Sequence, residues 1–451
     1  MTDQKSPGKW RHWPSLPIMK IVFLSIVLRL LAVYTLKGWD NPNAMEHHAL
    51  AANVLLDDGF KIGGFGYYGY SSVQSPVYPY LLAGIYLLWG IGSNSSYFVA
   101  MTLNSLLGGV CVWLTYLLVL ELGGNKLTAF ISCSLCAVWP SQIYVVTHVQ
   151  AVVLITIFLL IMWIMFIRGL SKKSLSSWCF FSVVTAVGIL TEPVFLLIGF
   201  GAGIAAIFWR DHSLNMRFRN GLILLATTSC IVGPWTFRNY KVHARLIPVK
   251  SSFWVNVWKG NNEYATGSDR LSMNEERLKR LQALNVLEAE KLARDHNFDK
   301  DSHQYSRLSA EQMDRIQGKP EIDREDVFKE WAIKWIKENP SKYAKLCWIR
   351  LVKTVLVDWD NPKAIWIALA IRIVLLGLVV PGLILSVKQG WYIGFPIASI
   401  VICLVLFSLT ITASRFSIPL EPFAFALGGL TLSKIVSVIT SKPPMLNSLS
   451  K

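Results

Sequence analysis

The sequence has few charged residues. Asp, Glu, Lys and Arg make up only 16% of its 451 residues, while hydrophobic residues make up 53% and the mean hydropathy is +0.43. Soluble domains carry charge on about a quarter of their residues, so this composition excludes an ordinary soluble protein. Apolar runs of about twenty residues recur along the chain, and each is long enough for a helix to cross a bilayer. Because lipid offers no partner to backbone polar groups, the runs predict helices and not open strands.

Acidic side chains are scarce outside one segment. Of 28 Asp and Glu residues, 19 lie between Arg238 and Asp360, which leaves nine for the rest of the chain. Carboxylates concentrated beside a membrane boundary suggest chemistry, whereas a solvated loop that simply collects polar residues is the alternative. Four of the nine lie in the polar stretch 37–80, directly after the first apolar run: Asp40, Glu46, Asp57 and Asp58.

Motifs of soluble enzymes and of metal sites are also missing. The sequence contains no Walker loop, no GxGxxG after a strand, no HExxH and no GxSxG elbow. Six of the seven cysteines lie in apolar runs, so neither a disulfide framework nor a CxxC site is predicted. His47 and His48 are adjacent and would point about 100° apart on a helix, which argues against a metal there. We therefore expect no metal and no cofactor.

The net charge of +16 has a simple cause. Positive residues collect on short loops between apolar runs, which is the orientation signal of membrane proteins. The charge therefore does not indicate binding to nucleic acid. The basic loops 168–173 and 210–219 share a side with the basic N-terminal tail only if the short run 77–92 does not span. We therefore predict that 77–92 is an interfacial or re-entrant helix on the outer face.

These patterns predict an all-α integral membrane protein with about ten transmembrane helices. Residues 1–237 form an N-terminal membrane domain with an outer loop at 37–97, residues 238–362 form an extracytoplasmic, helix-rich segment, and residues 363–451 form C-terminal membrane helices with a cytoplasmic tail. The predicted spans are 19–36, 98–121, 126–146, 149–168, 176–191, 193–209, 220–237, 363–386, 391–412 and 416–436.

Two shorter patterns lie in the outer segment. Met273–Leu292 carries Leu at helical spacing among charged residues, and 325–356 is typical of an amphipathic helical pair broken at Asn339-Pro340. Trp39-Asp40-Asn41-Pro42 recurs as Trp359-Asp360-Asn361-Pro362 at the outer end of another predicted span. Interfacial tryptophan and Asp-Asn-Pro turn chemistry explain the repeat more simply than a shared binding role.

The remaining polar residues of the membrane domain lie at helix ends. Glu192, Arg238 and Arg415 all fall on the outer side in the ten-span topology. An arginine there is well placed for a lipid phosphate, although snorkelling to headgroups is the alternative. Arg29 and Arg372 lie within apolar runs and should face the bundle interior or a water-filled cavity.

Several sequence pieces resemble the GT-C superfamily of polyprenyl-phosphate-sugar-dependent glycosyltransferases. The chain is similar to the branch of protein O-mannosyltransferases (family 39-like) and of the aminoarabinose transferase of lipid A. The pieces follow the order of the family: 51–60, Ser75-Pro76-Val77-Tyr78-Pro79, Pro234-Trp235-Thr236-Phe237-Arg238-Asn239-Tyr240, Trp258-Lys259-Gly260-Asn261-Asn262, 335–343 and 415–422.

The resemblance implies a set of site residues, with one departure. The family places a catalytic Asp, often beside a Glu, shortly before a Tyr, but here His47 or His48 stands at the Tyr position and the Asp falls near Asn43 or Ala44. Asp40 is therefore the predicted general base, with Glu46 as the alternative or as an acceptor-orienting partner. The implied donor-phosphate ligands are Arg238 and Arg415, and the implied pocket residues are Tyr78, Glu192 and Asn261, where Glu192 stands at a place at which relatives often carry Arg.

The implied activity is an inverting transfer of a monosaccharide to an acceptor hydroxyl. One carboxylate can accept the hydroxyl proton, and fixed guanidinium groups can stabilise the departing lipid phosphate. The expected partners are a polyprenyl-phosphate-linked sugar, a lipid, glycan or protein acceptor, and membrane lipids. We expect a bacterial inner membrane location with the site facing outward, because nucleotide sugars are made in the cytoplasm and an outer site needs a lipid carrier.

Two other functions fit the helical architecture. A non-enzymatic lipid or glycan flippase should carry several ionisable groups within its spans, and here Arg29, Arg372 and Glu192 are the candidates. An O-antigen ligase or polymerase shares the large outer loop but uses a diphosphate-linked glycan. Activity with monophosphate or diphosphate donors separates the two enzyme classes.

Overall fold

The architecture is that of a helical membrane protein. A computed structural model of the chain describes residues 15–56, 58–209, 211–268, 308–357 and 365–440. The predicted helix at Met273–Leu292 and the second Trp-Asp-Asn-Pro sequence at 359–362 lie outside the described residues, as does Asp57.

Four helices of the N-terminal half begin directly after a polar residue whose side chain caps the first turn. Ser93, Asn125, Ser174 and Ser213 each accept a hydrogen bond from a backbone N–H in the first turn of the helix that follows. The helices are α1 Leu16–Leu36, α2 Met45–Leu55, α3 Val77–Trp89, α4 Asn94–Leu122, α5 Lys126–Val138, α6 Pro140–Tyr144, α7 Val152–Phe166, α8 Leu175–Ile189, α9 Val194–Phe208 and α10 Leu214–His243.

The C-terminal half continues with an outer segment and three apolar elements. The predicted break at Asn339-Pro340 is confirmed, since one helix ends at Glu338 and the next begins at Pro340. The helices are α11 Phe253–Gly260, α12 Ala310–Ile316, α13 Glu321–Glu338, α14 Pro340–Val355, α15 Ile365–Lys388, α16 Gly394–Leu409 and α17 Glu421–Thr440, with 3₁₀ turns at Gly38–Asp40, Val145–Thr147 and Ser414–Leu420.

The predicted class is confirmed, while the number of spans stays a prediction. Among the described residues, six helices are apolar and long enough to cross a membrane, and the bent pair α5–α6 would make a seventh. The helices α3, α8, α9 and α16 are also apolar but shorter. At 1.5 Å per residue, the 13 residues of α3 extend about 20 Å, which is less than the hydrocarbon thickness of about 30 Å.

A small hairpin departs from the all-helical prediction. The strands β1 Lys61–Gly64 and β2 Tyr67–Tyr70 pair antiparallel around a turn at Phe65-Gly66. Both turn residues have positive φ, 52° and 72°, which two-residue hairpins need but which phenylalanine seldom adopts. Contacts from α13 hold the Phe65 ring: Arg324 lies 5.0 Å from its centroid and Phe328 lies 6.4 Å away. The turn therefore depends on tertiary contacts that the local sequence does not show.

Arg29 fills a gap in the hydrogen bonding of the bent pair α5–α6. Pro140 has no N–H, so the Cys136 carbonyl oxygen lacks its helical donor at the 53° bend. The Arg29 guanidinium, fully buried, donates to Cys136 O at 3.2 Å and to Ala137 O at 3.1 Å. The expectation that Arg29 faces the bundle interior is confirmed.

Arg372 forms an ion pair inside the bundle. Its guanidinium lies 2.8 Å from the Glu421 carboxylate, which is only 2% exposed. Glu421 also accepts hydrogen bonds from Ser141 Oγ at 2.6 Å and Gln142 Nε2 at 2.9 Å. Gln142 in turn donates to Ile418 O at 2.9 Å, so the network fixes the 3₁₀ turn Ser414–Leu420 against α6. Arg372 thus faces protein, as expected.

Helix α13 joins the outer segment to the membrane domain. Its buried Glu321 accepts hydrogen bonds from Ser71 Oγ and Ser251 Oγ, and from the backbone N–H of Ser72 at 3.0 Å. Glu325, one turn later, accepts from the backbone N–H groups at the start of α11. A separate hydrophobic cluster lies between α11, α12 and α13: Val257, Trp258, Ile316, Val327, Phe328, Trp331 and Ala332.

Candidate active site

Asp40 lies at the exposed end of the first 3₁₀ turn. Its neighbour Trp39 packs edge-on against Phe98 at 5.4 Å, and Pro42 O accepts a hydrogen bond from Val149 N at 2.9 Å. These contacts fix the backbone of the acidic loop on the bundle. The Asp40 carboxylate itself is exposed to solvent.

Glu46 lies in the first turn of α2 and is half-buried. Its Oε2 lies 3.3 Å from Gln74 Nε2, a residue of the segment before α3. Burial acts to raise the pKa of Glu46, but Lys259, a hydrogen bond from its own backbone N–H, His47 and Lys250 together hold it below the ordinary value. The carboxylate is therefore ionised at neutral pH.

His47 packs against Tyr78, with ring centroids 5.0 Å apart. Its Nδ1 is buried and has no hydrogen-bond partner among the described residues. Burial, helped by Lys250 and Arg415 and opposed by the charge of Glu46, lowers the pKa of His47 to about 4. The imidazole is therefore neutral at neutral pH, beside an ionised carboxylate.

Three cations from separate elements act on this pair of residues. We call Lys250, Lys259 and Arg415 the cationic cluster. Lys250 precedes α11, Lys259 lies in its last turn, and Arg415 lies on the 3₁₀ turn Ser414–Leu420. The sequence prediction included only Arg415. Lys259 stood within a motif that carried the family resemblance, but Lys250 had no signal of its own, since surface lysines in loops are common.

The neighbouring histidine has a different environment. His48 Nδ1 lies 2.8 Å from the Tyr86 hydroxyl and 3.0 Å from the Tyr97 hydroxyl. These contacts hold α2 against α3 and α4. Adjacent positions on one helix thus give His48 two partners in the bundle, while Lys250 and Arg415 act on His47.

Arg238 is held by the hairpin. Its guanidinium donates to Ser71 O at 2.6 Å and to Phe60 O at 3.1 Å, and it lies 4.9 Å from the Trp235 ring. It also donates to the Asn239 side chain at 3.0 Å. These contacts favour a role in fixing residues 60–72. Donor-phosphate binding by Arg238, and its convergence with Arg415, stay predictions.

The predicted pocket residues lie in three places. Tyr78 is 3% exposed at the start of α3, with His47 and the Asn104 side chain as neighbours. Glu192 is half-buried before α9, next to Leu190, whose carbonyl oxygen accepts from Val77 N at 3.3 Å. That contact joins the Glu192 loop to the start of α3.

Asn261 is fully buried and belongs to a polar anchor that the sequence did not reveal. Its side chain donates to Val257 O at 2.7 Å and accepts from Arg350 at 3.1 Å. Arg350, on α14 and also fully buried, donates to Gly260 O at 2.7 Å and to Ser408 O at 2.5 Å. The anchor fixes the end of α11, and therefore Lys259, against α14 and α16.

The site combines positive charge from three side chains with two proton acceptors. The cationic cluster can hold an anionic group, and an ionised carboxylate and a neutral imidazole lie beside it. Among the residues that the structure describes, no group of three or more His, Cys, Asp or Glu side chains could hold a metal ion. The chemistry available from these side chains is proton transfer next to a bound anion.

Comparisons with known proteins agree with the family resemblance. Residues 73–235, less than half of the chain, match the family model described as dolichyl-phosphate-mannose-protein mannosyltransferase. A comparison with curated proteins gives no significant match. The resemblance recognised in the sequence is confirmed by the matched family model.

Solved structures match this chain at low sequence identity. The oligosaccharyltransferase of Archaeoglobus fulgidus with a tethered acceptor peptide has a TM-score of 0.54 at 13% identity, over 95% of this chain and 50% of its own. The same enzyme with an inhibitory peptide and a dolichol-phosphate has a TM-score of 0.53 at 13% identity, over 96% and 52%. ArnT from Cupriavidus metallidurans, bound to undecaprenyl phosphate, has a TM-score of 0.41 at 12% identity, over 95% and 81%. This chain spans about half the length of the archaeal enzyme.

Proposed function

We propose that this protein is an inverting glycosyltransferase that moves a monosaccharide from a polyprenyl-phosphate donor to an acceptor hydroxyl at the outer face of a membrane. One observation carries the proposal: the adjacent pair Glu46 and His47 is acted on by three cations, with Lys259 and Lys250 holding Glu46 ionised and Lys250 and Arg415 acting on His47. A lipid phosphate needs such cations, and a hydroxyl nucleophile needs such a carboxylate. The matched family model, described by its lipid-phosphate-sugar donor, supports the same donor class.

In this proposal Glu46 is the general base, with Asp40 as the alternative. Glu46 is half-buried within reach of the cationic cluster, whereas Asp40 is exposed at the rim. The acceptor oxygen forms a bond to the anomeric carbon as its proton passes to the carboxylate. The bond between the anomeric carbon and the phosphate oxygen breaks, and its electron pair leaves with the phosphate. Attack from the face opposite the phosphate gives inversion.

The cationic cluster then stabilises the leaving phosphate. Arg415 and Lys250, the two cations that act on His47, would take the phosphate oxygens, and Lys259 would hold Glu46 in its ionised form. Tyr78 would line the sugar pocket beside His47. Arg238 remains a proposed donor-phosphate ligand, and Glu192 and Asn261 remain proposed pocket residues. The contacts of Arg238 and Asn261 also support them as scaffold for the hairpin and for α11.

The proposed function also includes a place for the lipid tail, an acceptor and a membrane. The lipid tail would lie between membrane helices, and the acceptor would be a lipid, a glycan or a protein. The outward orientation rests on the basic loops of the sequence, and the proposed location is the inner membrane of a bacterium.

Sugar transfer by the purified protein in lipid nanodiscs tests the proposal. Synthetic polyprenyl-monophosphate sugars, and matched diphosphate sugars, are supplied with membrane lipid and glycan acceptors. We expect transfer from a monophosphate donor and a fall on the order of 10²-fold or more in Glu46→Gln. The exposed surface acid Glu330 supplies the matched control Glu330→Gln, which should keep full activity.

The variants also separate the candidate bases. Loss of transfer in Asp40→Asn with full activity in Glu46→Gln would move the proton-accepting role to Asp40. Full activity in both would remove the acidic loop from the chemistry. Transfer from diphosphate donors alone would replace the proposal with a ligase-like or polymerase-like reaction.

A further inference from the structure

We propose that His47 belongs to the donor-phosphate site and takes up one proton when the anionic phosphate binds between Lys250 and Arg415. The inference rests on the proposed function, and it deepens that function by coupling donor binding to a proton.

The geometry supplies the first argument. The buried Nδ1 of His47 has no partner among the described residues, and buried ring nitrogens without partners are uncommon in folded proteins. The ring is held on one side by Tyr78, at 5.0 Å between centroids. Glu46 is held by Gln74, and His48 is held by Tyr86 and Tyr97, so contacts fix the backbone on both sides of His47. A bound oxygen atom would satisfy the unpartnered nitrogen.

The charges around His47 supply the second argument. Glu46 acts from the same helix, Lys250 from the segment before α11, Arg415 from the 3₁₀ turn, and the Tyr78 ring packs from α3. Lys259, on α11, acts on Glu46. Without a bound anion, burial and the two cations favour the neutral imidazole. A phosphate between Lys250 and Arg415 offsets both cations and adds a negative charge of its own, so the imidazolium becomes favoured.

These charges determine how donor affinity depends on pH. Burial and the two cations lower the pKa of free His47 to about 4, and the bound anion raises it. Donor affinity should be constant at high pH and should increase as the pH falls through the pKa of the complex. Between that pKa and the pKa of the free protein the slope approaches about tenfold per pH unit, because one proton enters with each ligand.

The probe is a short-chain polyprenyl methyl phosphate. This phosphodiester keeps a single negative charge over the whole range, whereas a phosphate monoester has its own second pKa near 6 and would titrate together with the protein. Binding to the full chain in nanodiscs is measured by isothermal titration calorimetry. Runs in buffers with different ionisation enthalpies give the number of protons taken up per bound diester.

Three variants make the measurement specific. His47→Gln keeps a polar side chain without a titrating group and should bind the diester with no proton uptake. The adjacent His48→Gln is the matched control, because His48 contacts Tyr86 and Tyr97 and should leave the uptake unchanged. Glu325→Gln removes a second group that titrates nearby, since burial raises the pKa of Glu325 to about 8.

The outcomes distinguish this inference from the proposed function. Proton uptake approaching one in the wild type and in His48→Gln, and none in His47→Gln, would support the inference. Diester binding without uptake, or uptake that persists in His47→Gln, would overturn it while sugar transfer still supports the enzyme. Absence of diester binding at every pH would also overturn it. The sugar-transfer assay tests the proposed function separately.

Discussion

Arg29 donates a hydrogen bond to the Cys136 carbonyl oxygen at 3.2 Å, the oxygen that Pro140 leaves without a helical donor. The two residues lie 107 positions apart, on α1 and α5. A charged side chain within an apolar run is therefore explained by backbone hydrogen bonding at a bend. From this hydrogen bond we predict that α1 is needed to stabilise the bent pair α5–α6.

Replacing Arg29 by methionine should destabilise the bundle. Arg29→Met leaves the carbonyl oxygens of Cys136 and Ala137 buried without this donor, at a cost of about 1–3 kcal/mol each. Thermal unfolding in detergent, followed by circular dichroism, should show a lower midpoint. Lys20→Met, an exposed position on the same helix, is the control and should unfold near the wild type. Equal midpoints for both variants would contradict the structural role of Arg29.

Replacing each of the two arginines proposed as donor-phosphate ligands should affect a different property of the protein. Arg415→Lys should weaken donor binding on the order of tenfold, because an ammonium cannot reproduce a bidentate phosphate contact. Arg238→Lys should mainly lower the unfolding temperature, since Ser71 O and Phe60 O lose a forked donor. Diester affinity and unfolding temperature, measured on both variants, test the division. A large loss of affinity in a stable Arg238→Lys protein would return Arg238 to the phosphate site.

Glu325, which accepts hydrogen bonds from the backbone at the start of α11, should make the stability of the protein depend on pH. Burial raises the pKa of Glu325 to about 8, while hydrogen bonds from Trp254 N and Val255 N oppose the rise. A carboxyl whose folded-state pKa is raised binds its proton more tightly in the folded state. Stability should therefore fall as the pH rises from about 5 to 8, by at most about 1.4 kcal/mol per pH unit.

The matched pair Glu325→Gln and Glu330→Gln checks this dependence. Glu325→Gln cannot ionise and should flatten the pH profile of unfolding. Glu330 lies exposed on the same helix, and Arg315 lowers its pKa, so its variant should keep the wild-type slope. An unchanged slope in Glu325→Gln would mean that another group controls the profile.

A topology reporter fused near Ser95 should be extracytoplasmic. The prediction follows from the basic loops, which share the side of the N-terminal tail only if 77–92 does not span, and α3 is only 13 residues long. Alkaline phosphatase activity at Ser95, with a silent fusion in the loop 168–173, would agree with the ten-span topology. A cytoplasmic signal at Ser95 would overturn it.

The sequence by itself determined the parts of the fold that depend on neighbouring residues. Long apolar runs predicted helices because the bilayer leaves the backbone no other way to satisfy its hydrogen bonds. Asn339-Pro340 predicted the break between α13 and α14, because proline disfavours a helical residue before it. The apolar settings of Arg29 and Arg372 predicted interior positions for both, since lipid would not solvate a guanidinium.

Only the tertiary structure decided which distant residues meet. The turn at Phe65-Gly66 exists because α13 holds the Phe65 ring in a conformation that phenylalanine alone would avoid. Lys250 and Lys259 join the site because Glu325 caps the start of α11 and Arg350 fixes its end. No local pattern encodes such contacts, because their free energy appears only when segments far apart in the chain pack together.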